Sequence, residues 1–172
     1  MKQENKAFAV ANYILDVFEQ KNILNPTNNQ MQLIIYIAYG IHLCLYGKKL
    51  FDEPMQAWEM GVVTPCVFNE FKSIKNKPIE KYSRAVILDT KIDNDLNFIT
   101  PALQDDNCIR SVLIACLTFR NKRAFTFLKK LKKENSAWQK AYNLNKGTML
   151  NDRDIAIEFE QYMDVLARMI LD

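Results

Sequence analysis

The sequence predicts a mainly α-helical, compact single-domain bundle spanning residues 1–172, built around a central apolar helix at about 27–46, with a small β-hairpin near 85–100. Three observations lead there. Apolar residues recur at spacings of three and four through most of the chain, as on the buried stripe of a helix. Only four glycines occur, which suits few tight turns. A length of 172 residues, 49% of them hydrophobic and 25% charged, favours one soluble domain with a single core.

Taken in order, Ala7, Val10, Ala11, Ile14, Val17 and Phe18 define an amphipathic first helix. The stretch NPTNN ends it, because Pro26 biases the residue before it away from helical backbone. Thr27 and Gln30 have capping-box spacing and start the second helix, which runs to Tyr46, where Gly47 can adopt the left-handed cap. Its interior is apolar on nearly every face, so other helices are expected to surround it. The stretch KKLFDEPMQAWEMGVV breaks the helical period. Thr64 as N-cap and Pro65 at the first position reopen a helix whose stripe is Val67, Phe68, Phe71 and Ile74. AVILDTK and LNFIT flank Ile92, Asp93, Asn94 and Asp95, a hairpin signal. Asp105 or Asp106 caps a helix carrying Ile109, Val112, Leu113, Cys116 and Phe119. A further helix is expected on Ala124, Phe127, Leu128 and Leu131, then a loop or short helix around Trp138 and Tyr142. Last, Asn151 caps one helix with Ile155, Phe159, Tyr162, Met163, Leu166 and Ile170 on its stripe.

The composition argues against several function classes. A net charge of +3 is too small to demand nucleic acid or a membrane as partner. The start has charges interleaved with apolar residues, unlike a signal peptide, and LIIYIAYGIHLCLY falls short of the roughly 20 residues a membrane span needs. Cys44, Cys66, Cys108 and Cys116 show no CxxC spacing and are expected to be small buried hydrophobes in a reducing, cytoplasmic compartment. His42 is the only histidine, so no multi-histidine metal site exists, and with Cys44 two residues on it points to a different helix face. Neither phosphate-binding glycine motif is present. Asp105-Asp106 and Asp152-Asp154 stand at helix starts, where opposing the helix dipole explains them. No catalytic constellation emerges; the expectation is a protein that is not an enzyme and uses no cofactor or metal.

One charge feature remains. Arg120, Lys122, Arg123, Lys129, Lys130, Lys132 and Lys133 lie in RNKRAFTFLKKLKK, with no acidic residue before Glu134. Such a run forms either a basic face for nucleic acid or a solvated helix face, and the second is the simpler account.

The order of motifs adds a resemblance. VANYILDVF, then NNQMQLIIYIAYGIHLCLYGKKLFDE, then AWEMGVVTPCVFNEFK, and later SAWQKAYN with LNDRDIAIEFEQYM, resemble the Panacea domain, the SocA-like antitoxin family also found among phage-associated proteins. The similarity covers roughly positions 8–163. Ala57, Trp58, Gly61, Val63, Phe68, Phe71 and Lys72 fit its most specific segment, and Trp138 fits the later one. Val62 stands where the family pattern has proline, and LKKENSAW lacks the usual Thr-His pair. The resemblance implies a mainly helical, non-catalytic protein that binds and neutralises a co-encoded protein toxin, with an ATP-dependent protease as a second partner to which some relatives deliver the toxin. It places the partner-binding or family-motif residues at Ala57, Trp58, Gly61, Val63, Phe68 and Trp138, with Trp58 and Gly61 expected to build the fold first. The alternative is a phage-associated regulator that binds nucleic acid through the basic 120–133 face.

Overall fold

The computed structural model describes residues 6–88, 96–120 and 134–171. Among these the chain forms seven α-helices and two small antiparallel hairpins. The helices are α1 (Lys6–Gln20), α2 (Asn28–Tyr46), α3 (Pro65–Glu70), α4 (Asp106–Arg120), α5 (Ala137–Leu144), α6 (Asp152–Glu160) and α7 (Met163–Leu171). α1 stops at Gln20, before NPTNN is reached; Asn22 at φ 52° and the Ile23 amide donating to the Phe18 carbonyl make its end, not Pro26, whereas α2 begins as expected with the capping box complete. The Thr27 hydroxyl accepts the Gln30 amide at 3.4 Å, while the Gln30 side chain accepts the Thr27 amide at 2.9 Å. Gly47 closes α2 at φ 64°, its amide donating to the Leu43 carbonyl. Burial extends around α2 from Met31 to His42, and α1, α3, α4 and α6 all pack on it. An all-round apolar helix is stable only when enclosed this way.

Packing against α2 is close at one point. A Cβ on Gly40 would land on the Phe159 ring of α6, so glycine is what lets the two helices approach. Phe159 also meets Tyr36 edge-on at 5.3 Å between ring centres.

The strands β1 (Gln56–Trp58) and β2 (Gly61–Val63) form a hairpin in the stretch that breaks the helical period. Trp58 pairs with Gly61, so Glu59 and Met60 form the turn. Strands of three residues give too little alternation to announce themselves. The hairpin expected near 85–100 is also present: β3 (Ala85–Leu88) pairs with β4 (Leu96–Ile99). Its base is tied to α1 by the buried Asn12. The Asn12 side chain donates to the carbonyls of Ser83 and Pro101 and accepts the Ser83 amide.

Three further local expectations need correction. Thr64 sits at the N-cap of α3, but its side chain makes no capping bond; its backbone amide is held by Gln32 Oε1 at 2.8 Å. The stripe of α3 is shorter than expected: Val67 and Phe71 are buried, Phe68 and Ile74 half-buried, and the chain tightens to a 3-10 turn at Lys72–Ile74. The last helix is two. Asn151 caps α6, accepting from the Arg153 amide, and a tight turn then separates α6 from α7. In that turn the Tyr162 amide donates to the Phe159 carbonyl at 2.9 Å. The apolar spacing runs on through it, which is why periodicity alone merges the two helices.

Asp105 is the cap of α4, accepting the Cys108 amide at 2.9 Å. Trp138 and Tyr142 lie on α5, which Ser136 caps. The helix expected on Ala124, Phe127, Leu128 and Leu131 lies outside the described residues. No helix among the described residues is long and apolar enough to cross a membrane.

Candidate partner-binding site

The β1–β2 hairpin is held from three sides. On one side the chain after α5 adds to β1: the Ala57 amide donates to the Thr148 carbonyl, and the Ala57 carbonyl accepts the Gly147 amide, at 2.9 and 2.8 Å. Leu150 closes the same edge by donating to Met55. From beneath, buried amide side chains of α2 hold the hairpin's exit. Gln32 accepts the Thr64 amide and donates to Asn28, which in turn donates to the Phe68 carbonyl at 2.9 Å. From above comes α5, whose Trp138 indole donates to the Trp58 carbonyl at 2.8 Å.

These ties bring together all six motif residues named from the sequence. Ala57 and Val63 are buried, and Gly61 is buried at φ 135°, a conformation that favours glycine. Trp58 is half-buried, its ring edge-on to Phe68 at 5.2 Å and its indole N–H on Gln56 Oε1. Trp138 is half-buried too, stacked on Tyr142 at 4.7 Å. Large apolar side chains stay exposed on the same segments: Met60 in the hairpin turn, Met149 opposite Gln56, and Leu144 at the end of α5. The arrangement can present a rigid, partly apolar surface to another molecule.

Val62, at the proline position of the family pattern, pairs with Ala57. Ala57 directs its amide and carbonyl to residues 147 and 148, so this pair exchanges no ladder bond. A proline at this position would therefore remove no β1–β2 ladder bond.

Several residues that matter here carried no sequence signal. Glu158 on α6 is buried, and its Oε2 accepts both the Tyr36 hydroxyl at 2.8 Å and the Ala137 amide at 2.9 Å. Burial pushes its carboxyl above the ordinary range, although the two hydrogen bonds and Lys140 pull the other way. Gln32 and Asn28 are equally silent in the sequence, since polar residues on a helix usually face water.

Elsewhere, His42 is buried and its Nδ1 lies 2.9 Å from Ser111 Oγ. The Ser111 hydroxyl also reaches the Asn107 carbonyl, at 2.9 Å. Burial lowers the histidine's pKa. The four cysteines are free; Cys108 and Cys116 are buried as expected, whereas Cys44 and Cys66 are only half-buried. Burial pushes their thiols up, to about 11 for Cys66 and about 12 for Cys116. Among the described residues no group of three or more His, Cys, Asp or Glu stands together as a metal site. Of the basic run, Arg120 is exposed at the end of α4, while Lys122, Arg123, Lys129, Lys130, Lys132 and Lys133 lie outside the described residues.

A mainly helical fold with a tryptophan-bearing hairpin sewn to its last third is the frame these motifs build. The family described as antitoxin SocA-like, Panacea domain, matches residues 31–157, well over half of the chain, and the chain belongs to that family. No curated protein and no solved structure matches it significantly.

Proposed function

We propose that this protein is the antitoxin of a pair, binding and neutralising a co-encoded protein toxin in the cytoplasm without catalysis of its own. Membership of the SocA-like antitoxin family carries the reading. The joined Trp58 and Trp138, with Met60, Met149 and Leu144 exposed on the same segments, supply a surface suited to a protein partner. Delivery of the captured toxin to an ATP-dependent protease is part of the proposal. Co-expression with the product of the neighbouring gene tests it: growth should be rescued and the two proteins should co-purify. In cells lacking the protease, the toxin should persist although it is still bound. A neighbour that is harmless alone and does not bind would overturn the antitoxin reading.

A further inference from the structure

Glu158 lies at a junction. Its Oε2 takes one hydrogen bond from α2, through Tyr36, and one from the first amide of α5, at Ala137. Oε1 of the same carboxyl is buried without a hydrogen-bond partner among the described residues. The next residue after Ala137 is Trp138, whose indole reaches the Trp58 carbonyl. A carboxylate at a helix N-terminus is favourable, and its bonds to donors are about twice as strong as those of a neutral acid. Losing the charge therefore weakens the grip on α5 while leaving its geometry possible.

We propose that Glu158 is the positioning residue of the tryptophan pair: its carboxyl sets where Trp138 stands against Trp58, and its proton couples that placement to pH. The consequence for toxin binding rests on the function proposed above; the placement itself does not. The groups facing Glu158 are Tyr36 from α2, Lys140 from α5, Asp154 one turn earlier on α6, and Tyr162 in the turn after it. Tyr36 and Tyr162 have pKa values raised above 10, so they hold their protons throughout the acidic and neutral range. Burial likewise favours the protonated form of Glu158.

The test needs no partner. In the 15N-labelled full chain the two tryptophans give two indole N–H signals, which Trp58→Phe assigns. From about pH 4 to 8 the Trp138 signal should move with an inflection above the ordinary glutamate value of 4.5. Glu158→Gln, which retains an acceptor for both donors, should keep the signal dispersed but abolish that inflection. Tyr36→Phe removes one bond to the charged form and should move the inflection upward. A flat wild-type signal, an inflection that survives Glu158→Gln, or one that Tyr36→Phe leaves in place would overturn the proposal. Should Glu158→Gln fail to fold, the Tyr36→Phe shift decides alone.

Discussion

Gly61 shows how a single backbone angle builds the site. Its φ of 135° is open to glycine and strained for any other residue. Gly61→Ala is expected to cost about 1–3 kcal/mol, read as a lower midpoint in urea unfolding. Gly40→Ala acts differently, through space rather than angle, because its Cβ meets the Phe159 ring. Overpacking of this kind costs about 1–3 kcal/mol, and Gly40→Ala should lower the melting temperature while leaving the hairpin intact. Trp58 divides its surface between fold and solvent. A fully buried tryptophan loses about 3–5 kcal/mol on truncation, so half-buried Trp58 should lose less, about 2–3 kcal/mol. If it also anchors the toxin, Trp58→Ala should weaken binding at least about thirtyfold under conditions where the variant stays folded.

Between helices and strands, the decisive contact joins parts of the chain 80 residues apart, Trp138 to Trp58. Trp138→Phe keeps an aromatic ring but leaves the Trp58 carbonyl without that donor, a loss of about 1–3 kcal/mol. It should also change the fluorescence of the remaining Trp58; an unchanged spectrum and stability would deny the link. Much of the element plan was legible in the sequence because it depends on local chemistry. The Thr27–Gln30 box, the Gly47 cap and the Asp105 cap are each decided by residues three or four positions apart. What was not legible depends on distant partners. The β1–β2 hairpin has strands too short to alternate, and its second edge is made by residues 147–150. Thr64 is fixed by Gln32, far away in sequence, and not by a cap of its own. The six motif residues were placed by resemblance to a family; their convergence could not be read from spacing, because nothing in the sequence pairs Trp58 with Trp138.

Across the fold, two buried groups pull stability in opposite directions as pH changes. His42 has its pKa lowered below the ordinary 6.5, chiefly by burial. The folded chain then binds its proton less readily than the unfolded one, so this contribution is complete above pH 6.5 and is lost as the pH falls. Glu158 is raised above the ordinary 4.5, again chiefly by burial. Its contribution is complete below pH 4.5 and is lost as the pH rises through its folded value. The two slopes have opposite signs, and each is at most about 1.4 kcal/mol per pH unit. Asp105, lowered by its bond from the Cys108 amide, contributes in full above its ordinary 3.8 and so adds no slope at higher pH. Melting-temperature profiles of the two single variants should therefore slope in opposite directions with pH, with the wild type between them. Glu158→Gln leaves the histidine unopposed, and its melting temperature should fall on acidification. His42→Gln leaves the carboxyl unopposed, and its melting temperature should rise on acidification. Parallel profiles for all three chains would show that neither buried group titrates differently on folding, and would remove both from the account of stability.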